Sequence, residues 1–282
     1  MSSAQIRPAT YASHYDTPPQ LTADGSRTWI TRGANFVVAV SEVTAGAVLA
    51  RDDNADEYMV LLPDAGAEIR AGGAAIDAAA ESLSIVPPGR SAVVAKNAGQ
   101  IVRVFSKRAE DLAERAENAA AYADGAPDVA PLVDWPAPPG GFRLRNYRLA
   151  EHQRADANMR LFRSTNLMIN VLLKRTAPRD VRKLSPHAHD DFEQGSLVLE
   201  GDYVHHLRYP WIPDKSQWRE DEHIEIGSPS VLVIPPKVIH TSRNVGDKQS
   251  WLIDIFSPPR IDFSKKPGLV VNADEYPMPA AN

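Results

Sequence analysis

The sequence contains no cysteine and no apolar run long enough to cross a bilayer. Without thiols the chain forms no disulfide, and zinc sites built on thiolate ligands are excluded. Any metal must therefore bind to imidazole and oxygen ligands. The longest apolar candidate, residues 36–50, is interrupted by Ser41, Glu42 and Thr44. Residues 1–16 lack the apolar core of a signal peptide, so we expect a cytoplasmic protein.

The chain also has little net charge, −5 with an isoelectric point of about 5.9, and no block of like charges. This balance argues against nucleic acid or an anionic membrane as the main partner, and we expect a small-molecule substrate instead. The length of 282 residues suggests two domains of ordinary size.

Short apolar runs rich in β-branched residues dominate residues 27–105 and again residues 142–257. Short strands separated by proline and glycine turns are typical of all-β sandwiches and barrels. The clearest runs are 35–40, 57–62, 83–86, 166–173, 197–199 and 231–234. Two other segments separate the blocks. Residues 107–123, rich in Ala, Glu and Arg, predict a surface helix, and the proline-rich residues 127–141 predict an extended connector.

The two blocks repeat each other. Residues 58–63 parallel residues 196–201 at an offset of 138 (201 − 63), and residues 85–90 parallel 234–237 at an offset of 148 (235 − 87). The difference indicates an insertion around residues 209–218 in the second block. We interpret the repeat as a duplication and predict a first domain at 1–106, a linker at 107–141 and a second domain at 142–282.

Three histidines of the second block are spaced as metal ligands. His187 and His189 precede a strand-like run, and alternate residues of a strand point to the same side. His240 follows the apolar run 231–239. In a barrel the edges of such strands meet, so three imidazoles and one side-chain oxygen could hold a metal. Glu193 and its neighbour Gln194 are the two candidates for the oxygen ligand.

Here the sequence resembles a known family. Residues 181–201 resemble the first motif of the cupin superfamily, G-x5-HxH-x3,4-E-x6-G, and residues 229–244 resemble the second, G-x5-PxG-x2-H-x3-N. The matching positions are His187, His189, Gly201, Pro235, His240 and Asn244. Val181 and Pro229 replace the leading glycines, and Lys237 replaces the turn glycine. These glycines serve backbone turns, so their loss affects the pattern more than the ligand set.

The resemblance implies an all-β bicupin, with two cupin-like β-barrels of the jelly-roll or double-stranded β-helix type joined by the helix and the connector. It also implies one divalent ion, Fe(II), Mn(II), Ni(II), Cu(II) or Zn(II), on His187, His189 and His240. Six residues separate Gln194 from Gly201, as the motif requires, so the pattern favours Gln194 as fourth ligand. Glu193 stays the alternative, because a carboxylate binds a hard divalent ion better than an amide.

The first block lacks this ligand set. Aligning residues 60–63 with 198–201 puts Leu49 and Arg51 at the histidine pair, Asp56 at the acidic position and Ala92 at the third histidine. Leu and Ala offer no ligand atom, and an arginine repels a cation. We therefore expect one metal per chain, with the first barrel providing packing and a homodimer surface.

The family contains dioxygenases, decarboxylases, lyases and isomerases. The resemblance implies a dioxygenase-type oxidoreductase acting on a small anionic molecule, with an isomerase, lyase or decarboxylase, or a non-enzymatic binding protein, as alternatives. Five residues close to the motif in sequence are candidates for proton transfer or substrate binding: Glu200, Tyr203, His205, His206 and Arg208.

Overall fold

The structure is a computed structural model that describes residues 7–280. The ends of the two predicted domains, residues 1–6 and 281–282, lie outside the described residues. No helix within the described range is long and apolar enough to cross a membrane.

The described chain is built almost entirely from strands. Strands β1 to β11 are Thr10–Ser13, Leu21–Ala23, Ser26–Arg32, Phe36–Val43, Val48–Arg51, Tyr58–Leu62, Ala67–Ala71, Ala74–Ala78, Ser82–Val86, Ser91–Ala95 and Gly99–Ser106. Strands β12 to β20 are Arg145–Arg148, Met159–Arg163, Met168–Leu172, Gln194–Glu200, Asp202–Arg208, Glu222–Ile226, Ser230–Ile234, Ile239–Val245 and Trp251–Phe256. Each strand-like run named from the sequence overlaps one of these strands, and the all-β prediction is confirmed.

Helices are short. The α-helices are α1 at Glu110–Ala113 and α2 at Ile261–Ser264, and the 3-10 helices are Ala119–Tyr122, Leu149–His152, Val181–Lys183 and Lys215–Gln217.

The predicted surface helix over residues 107–123 is therefore wrong in extent. The Glu117 amide donates to the Ile30 carbonyl at 2.9 Å, and the Asn118 side chain bonds to both the amide and the carbonyl of Arg32. These bonds to the strand edge replace the intrahelical bonds that a continuous helix needs. Leu112 and Ala116 are buried in the core, so the segment is packed against the protein rather than exposed.

The strands form four antiparallel sheets. A seven-stranded sheet has the order β12-β9-β6-β11-β4-β3-β2 and a four-stranded sheet the order β5-β10-β7-β8. Together these two sheets are called the first unit. A six-stranded sheet has the order β1-β18-β15-β20-β14-β13 and a three-stranded sheet the order β17-β16-β19. Together these are called the second unit.

Two strands cross between the units. β1, from the N-terminal arm, pairs with β18 of the second unit, with Tyr11 opposite Leu232. β12, which follows the linker, pairs with β9 of the first unit, with Tyr147 opposite Leu83. Each unit thus completes a large sheet with a strand from the other end of the chain. The boundaries at residues 106 and 142 stay a prediction, and folding of either piece alone would leave a sheet edge unpaired.

Two large apolar layers and several smaller clusters hold the molecule together. One lies between the two large sheets and joins first-unit residues such as Val38 and Leu61 to second-unit residues such as Leu197 and Ile253. A second layer fills the first unit between its two sheets. In the second unit the corresponding space contains only small clusters, such as Val198 packed with Tyr203. This contrast leaves room for a cavity in the second unit.

The insertion predicted around residues 209–218 lies between β16 and β17. In the first unit the equivalent strands β7 and β8 are joined by Gly72 and Gly73, both with positive φ. In the second unit residues 209–221 connect the strands, and Trp211 and Trp218 stack there at 4.4 Å.

Candidate metal centre

Backbone pairing brings the three predicted histidines together. His187 forms an antiparallel bridge with His240, the second residue of β19, through N–O distances of 3.1 and 2.8 Å. The His189 carbonyl accepts from the Lys237 amide at 2.6 Å. The loop before β15 is therefore fixed to the turn before β19, and both histidine segments are held by hydrogen bonds that do not involve their side chains.

One ring nitrogen of each histidine lies within 4.8 Å of the others. The ring centroids are 4.4 Å apart for His187 and His240, 5.0 Å for His187 and His189, and 5.1 Å for His189 and His240. Nitrogens at such spacing can share one ion at the usual metal–nitrogen distance of about 2.1 Å. His189 and His240 are buried and His187 is exposed at the mouth.

The tautomers of two histidines are fixed. His187 Nδ1 is 2.9 Å from the Ser185 carbonyl oxygen, and His240 Nδ1 is 2.9 Å from the Val238 carbonyl oxygen. A carbonyl only accepts, so each Nδ1 must carry the proton. Both Nε2 atoms then keep a lone pair for a metal, which is the usual arrangement of ligating histidines.

Burial keeps the inner pair neutral. It lowers the pKa of His189 to about 4 and that of His240 to about 3. A protonated imidazole cannot bind a cation, so neutral rings at ordinary pH are what a metal site requires.

The two candidates for the oxygen ligand point in opposite directions, as neighbours on a strand should. Gln194 Oε1 is 3.0 Å from His189 Nε2 and 3.3 Å from His240 Nε2. Glu193 faces the first unit, where its carboxylate accepts from Arg7 and from the Ala34 amide, each at 2.5 Å, and from Tyr122 at 3.1 Å. The carboxylate is thus fully used in joining the two units, and the amide is the oxygen donor beside the histidines.

A buried carboxylate lies behind Gln194. Asp254 Oδ1 accepts from Gln194 Nε2 at 3.0 Å and from Ser196 Oγ at 3.1 Å, and Oδ2 accepts from Asn170 at 3.3 Å. Burial raises the pKa of Asp254 to about 6, opposed by the hydrogen bond from Ser196. The sequence motif does not include Asp254. Its signal was a single acid within the otherwise apolar run of β20.

His187 and His240 line a cavity of about 210 Å³. Its other lining residues include apolar and polar side chains and three arginines: Leu172, Leu252, Phe256, Phe263, Gln194, Tyr203, Asn244, Asp254, Arg175, Arg179 and Arg260. Arg260 is paired with Asp262 at 2.7 Å. Arg175 and Arg179 form no ion pair with any carboxylate of the described residues.

The two unpaired arginines are held on one loop. Arg179 donates to the Ser242 carbonyl and to Ser185 Oγ, both at 2.9 Å. Asn244, the asparagine of the second motif, accepts from the Arg179 amide and donates to the Ala177 carbonyl. Burial and the nearby charge of Arg175 lower the pKa of Arg179. Two arginines in the lining that have no carboxylate partner among residues 7–280 make this cavity suitable for an anion.

The structure brings only some of the predicted proton-transfer residues to the cavity. Tyr203 lines it, and burial raises the pKa of the phenol. His205 is buried beside it, with Nδ1 2.7 Å from Ser242 Oγ, and burial lowers its pKa to about 4.

The other three candidates lie outside the cavity lining. His206 pairs with His223 on the outer side of the small sheet, at 2.8 Å between Nδ1 atoms. Arg208 is ion-paired with Asp221 at 2.5 Å, and Glu200 with Lys174 at 3.1 Å. Sequence proximity to the motif did not distinguish the two faces of β16.

The first unit has apolar side chains at two of the four ligand positions and internally paired charged side chains at the other two. Leu49, at the position of His187, is buried and pairs with Val93. Because His187 pairs with His240 as Leu49 pairs with Val93, Val93 is the structural equivalent of the third histidine. The sequence alignment, which gave Ala92, is therefore wrong by one residue at this position. Arg51 pairs with Asp111 at 2.6 Å, and Asp56 accepts from Ser106 at 2.5 Å and also bonds to Asn166.

No protein-family model matches the sequence. No curated protein matches it either. Solved structures do share the fold. Oxalate decarboxylase from Lactobacillus farciminis, solved as a formate complex, has a TM-score of 0.59 and 13% identity over 92% of this chain and 88% of that chain.

Two other solved structures are similar in the same way. A Bacillus subtilis oxalate decarboxylase variant has a TM-score of 0.57 and 14% identity, covering 92% of this chain and 78% of its own. AerE from Microcystis aeruginosa has a TM-score of 0.56 and 8% identity over 90% of this chain and 99% of that chain. At such identities the likeness establishes the fold alone. Together with the two antiparallel units described above, it confirms the predicted bicupin fold.

Proposed function

We propose that the second unit is a metal-dependent enzyme site that acts on a small anionic organic molecule. The observation that carries the proposal is the His187, His189 and His240 triad beside a cavity whose lining includes His187 and His240. The same lining includes Arg175 and Arg179, which form no ion pair among residues 7–280. Neutral imidazoles and an amide oxygen suit Fe(II), Mn(II), Ni(II), Cu(II) or Zn(II). When bound, such an ion supplies Lewis acidity, and with iron or copper also redox chemistry.

The protein's own residues would bind and orient the substrate. The Arg175 guanidinium can donate two parallel hydrogen bonds to a carboxylate, which fixes its orientation as well as its charge. The Tyr203 phenol is protonated at neutral pH, since its ordinary pKa is about 10 and burial raises the pKa further, so its hydroxyl can donate to a second substrate oxygen. Phe256 and Phe263 give the cavity lining apolar surface, which lowers the local polarity and would strengthen these interactions. The cavity volume limits the substrate to a small molecule.

A dioxygenase-type reaction is the first chemistry we propose. The second is decarboxylation or another non-oxidative reaction of a small acid, which the structural similarity to oxalate decarboxylases favours. We also propose that the chain acts as a homodimer in the cytoplasm, which ultracentrifugation and cell fractionation can check.

The test begins with the apo protein, loaded with each metal in turn. Short dicarboxylates, hydroxy acids, diketones and catechols are then supplied under air and under anaerobic conditions. Oxygen consumption coupled to substrate loss identifies the dioxygenase, and equal turnover without oxygen identifies the non-oxidative alternative. Binding without turnover under every condition contradicts the enzyme proposal and leaves a binding protein.

Arg175→Met tests the anion site directly, with Arg208→Met as the matched control, because Arg208 is paired with Asp221 outside the cavity lining. Removing a charge-assisted hydrogen bond costs about 1.5–3 kcal/mol, so we expect KM or Kd to rise about 10- to 100-fold in Arg175→Met alone. Equal effects of the two substitutions contradict an anion site at Arg175.

A further inference from the structure

We propose that Asp254 is a positioning residue for the metal centre, which orients the Gln194 amide so that its carbonyl oxygen faces the three histidines. The inference rests on the proposed metal site and assigns a role to a residue outside both cupin-like motifs.

A glutamine ligand presents an ambiguity that a glutamate does not. Its two ends have nearly the same shape, but only the carbonyl oxygen can bind a cation. When no metal is bound, the NH2 end of Gln194 could instead donate hydrogen bonds to the lone pairs of the imidazole nitrogens. Some other contact must therefore hold the amide in the productive orientation before the ion arrives.

The carboxylate of Asp254 provides that contact. It only accepts when ionised, so the amide nitrogen of Gln194, 3.0 Å away, must turn toward it. Ser196 closes the arrangement, because its hydroxyl accepts from Gln194 Nε2 at 2.9 Å and donates to Asp254 Oδ1 at 3.1 Å. Rotating the Gln194 amide by 180° would place its carbonyl oxygen against the Asp254 carboxylate, and two acceptors cannot bond to each other. The hydrogen bonds among Gln194, Ser196 and Asp254 therefore select one orientation of the amide.

The strands hold the triangle in place. Ser196 of β15 lies directly opposite Asp254 of β20, and Asp254 lies opposite Asn170 of β14. Asn170 donates to the second carboxylate oxygen at 3.3 Å. Ser196, Asp254 and Asn170 therefore form a polar row across the adjacent strands β15, β20 and β14. This row lies two residues further along β15 than Gln194, whose amide it holds in place.

The first unit provides an internal comparison. Under the offset of 138, Tyr58 takes the place of Ser196, and the register of β11 on β6 and β4 puts Phe105 and Val37 at the places of Asp254 and Asn170. All three are buried in the apolar core of that unit. The polar row therefore accompanies the histidine triad and is replaced by apolar side chains where the triad is absent.

Asp254 also explains how an amide can serve in place of a carboxylate. The negative charge is moved one hydrogen bond away from the ion, behind the ligand, where it polarises the amide and increases the electron density on Oε1. The site keeps one carboxylate charge, but its inner ring of ligands is neutral.

The first measurement is the affinity of the full-length apo protein for Zn(II) and Mn(II), by chelator competition, with the Co(II) absorption spectrum as a report of the ligand set. We expect Asp254→Asn to weaken both metals about 10- to 100-fold and to change the Co(II) spectrum, as loss of an outer hydrogen-bond partner typically does. Asp56→Asn is the matched control, since Asp56 is also buried and bonded to a Ser and an Asn, but in the unit without histidines. It should leave both readouts unchanged.

The second measurement is a charge swap. Gln194→Glu alone sets a carboxylate about 3 Å from Asp254, and two adjacent carboxylates resist ionising together, so we expect no gain in affinity. In the double variant, Gln194→Glu with Asp254→Asn, the new amide at position 254 can donate to the new carboxylate at position 194. This variant should therefore recover most of the metal affinity that is lost in Asp254→Asn. A merely structural role for Asp254 predicts no such rescue.

The outcomes separate the two proposals. Absence of metal binding by the unmodified protein overturns the proposed function and the role of Asp254 together. Normal affinity and an unchanged Co(II) spectrum in folded Asp254→Asn, or no rescue in the double variant, overturn the role of Asp254 alone.

Discussion

The two units place different side chains at matching points of the same strand pairings. In the first unit Tyr58 and Phe105 stack at 4.6 Å, within a continuous apolar core. In the second unit the corresponding residues are Ser196 and Asp254, which are bonded to each other, and Asp254 lines the cavity. The stacked aromatic pair fills this part of the first unit, and smaller side chains at the matching positions leave a cavity in the second. One backbone plan therefore supports either a packed core or the cavity of the proposed metal site, depending on a few inward-facing residues.

The ligand positions show the same division. Leu49 and Val93 of the first unit are buried in its core, whereas their counterparts His187 and His240 face a cavity. Arg51, the counterpart of His189, turns toward Asp111 of the segment that follows the sheet. From this comparison we expect substitutions of cavity-facing residues in the second unit to alter metal binding. Substitutions of the matching core residues in the first unit should alter the free energy of unfolding.

The largest expected effect is on metal content. His187→Ala, His189→Ala and His240→Ala should each abolish tight binding, because loss of one imidazole leaves too few ligands. The fold should survive, since the cores of both units are independent of the site. Elemental analysis checks the first expectation and circular dichroism the second. The unmodified protein should hold about one ion per chain.

Arg51→Met and Asp56→Asn are the controls for this experiment and should leave metal content unchanged. A stoichiometry near two, or loss of metal from either control, would show that the first unit also binds an ion. Unfolding of all three histidine variants would mean that the metal is structural.

The next prediction separates two neighbours of β15. Glu193 is 2% exposed and accepts from Arg7, Tyr122 and Ala34. Glu193→Ala leaves the Arg7 charge without one of its two partners, so we expect a loss of about 3–5 kcal/mol in unfolding free energy, with metal affinity retained. Gln194→Ala should do the reverse and lose metal affinity at nearly constant stability. Thermal unfolding of the apo proteins measures the change in stability, and metal titration measures the change in affinity. If Glu193→Ala loses metal and Gln194→Ala keeps it, the assignment of Gln194 as the residue that faces the histidines is wrong.

How far the sequence predicts these features depends on whether the interaction is local. The strands, the insertion after β16 and the approach of His187, His189 and His240 follow from apolar runs, turn residues and a motif of fixed spacing. The role of Glu193 does not, because its partners lie up to 186 positions away in sequence. The same holds for Asp254 and Arg175, which reach the cavity only through strand pairing. The exchange of β1 and β12 between the units could not be predicted either, because the sequence of each strand is equally compatible with pairing to a strand of its own half of the chain.

A third prediction concerns the packed unit. Phe105→Ala removes a fully buried ring that stacks on Tyr58, so we expect a loss of about 3–5 kcal/mol in stability, without any change in metal content. Phe142 is 48% exposed and is the matched control. Phe142→Ala should change stability by less than about 0.5 kcal/mol. Denaturant unfolding measures both. A metal-depleted Phe105→Ala protein with normal stability would contradict the division of roles between the units.

The smallest expected effect is at the turn that precedes each third-ligand position. Gly89 in the first unit has φ 96°, and Lys237, which follows the equivalent pair of prolines in the second, has φ 66°. Left-handed backbone costs a residue with a side chain about 1–2 kcal/mol, whereas glycine adopts it freely. Gly89→Ala should therefore lower the unfolding free energy by about 1–2 kcal/mol, since nothing near Gly89 would clash with the added methyl group.

Lys237→Gly should raise stability, but by less than about 1 kcal/mol, because relief of the backbone strain is partly offset by the greater freedom of glycine in the unfolded chain. Thermal unfolding of the apo proteins gives both values. The Lys237 amide donates to the His189 carbonyl through the backbone, so this bond and the metal affinity should survive the substitution. A marked loss of metal affinity in Lys237→Gly would show that the lysine side chain, rather than the backbone of its turn, supports the histidines, and the two turns would then differ in function as well as in sequence.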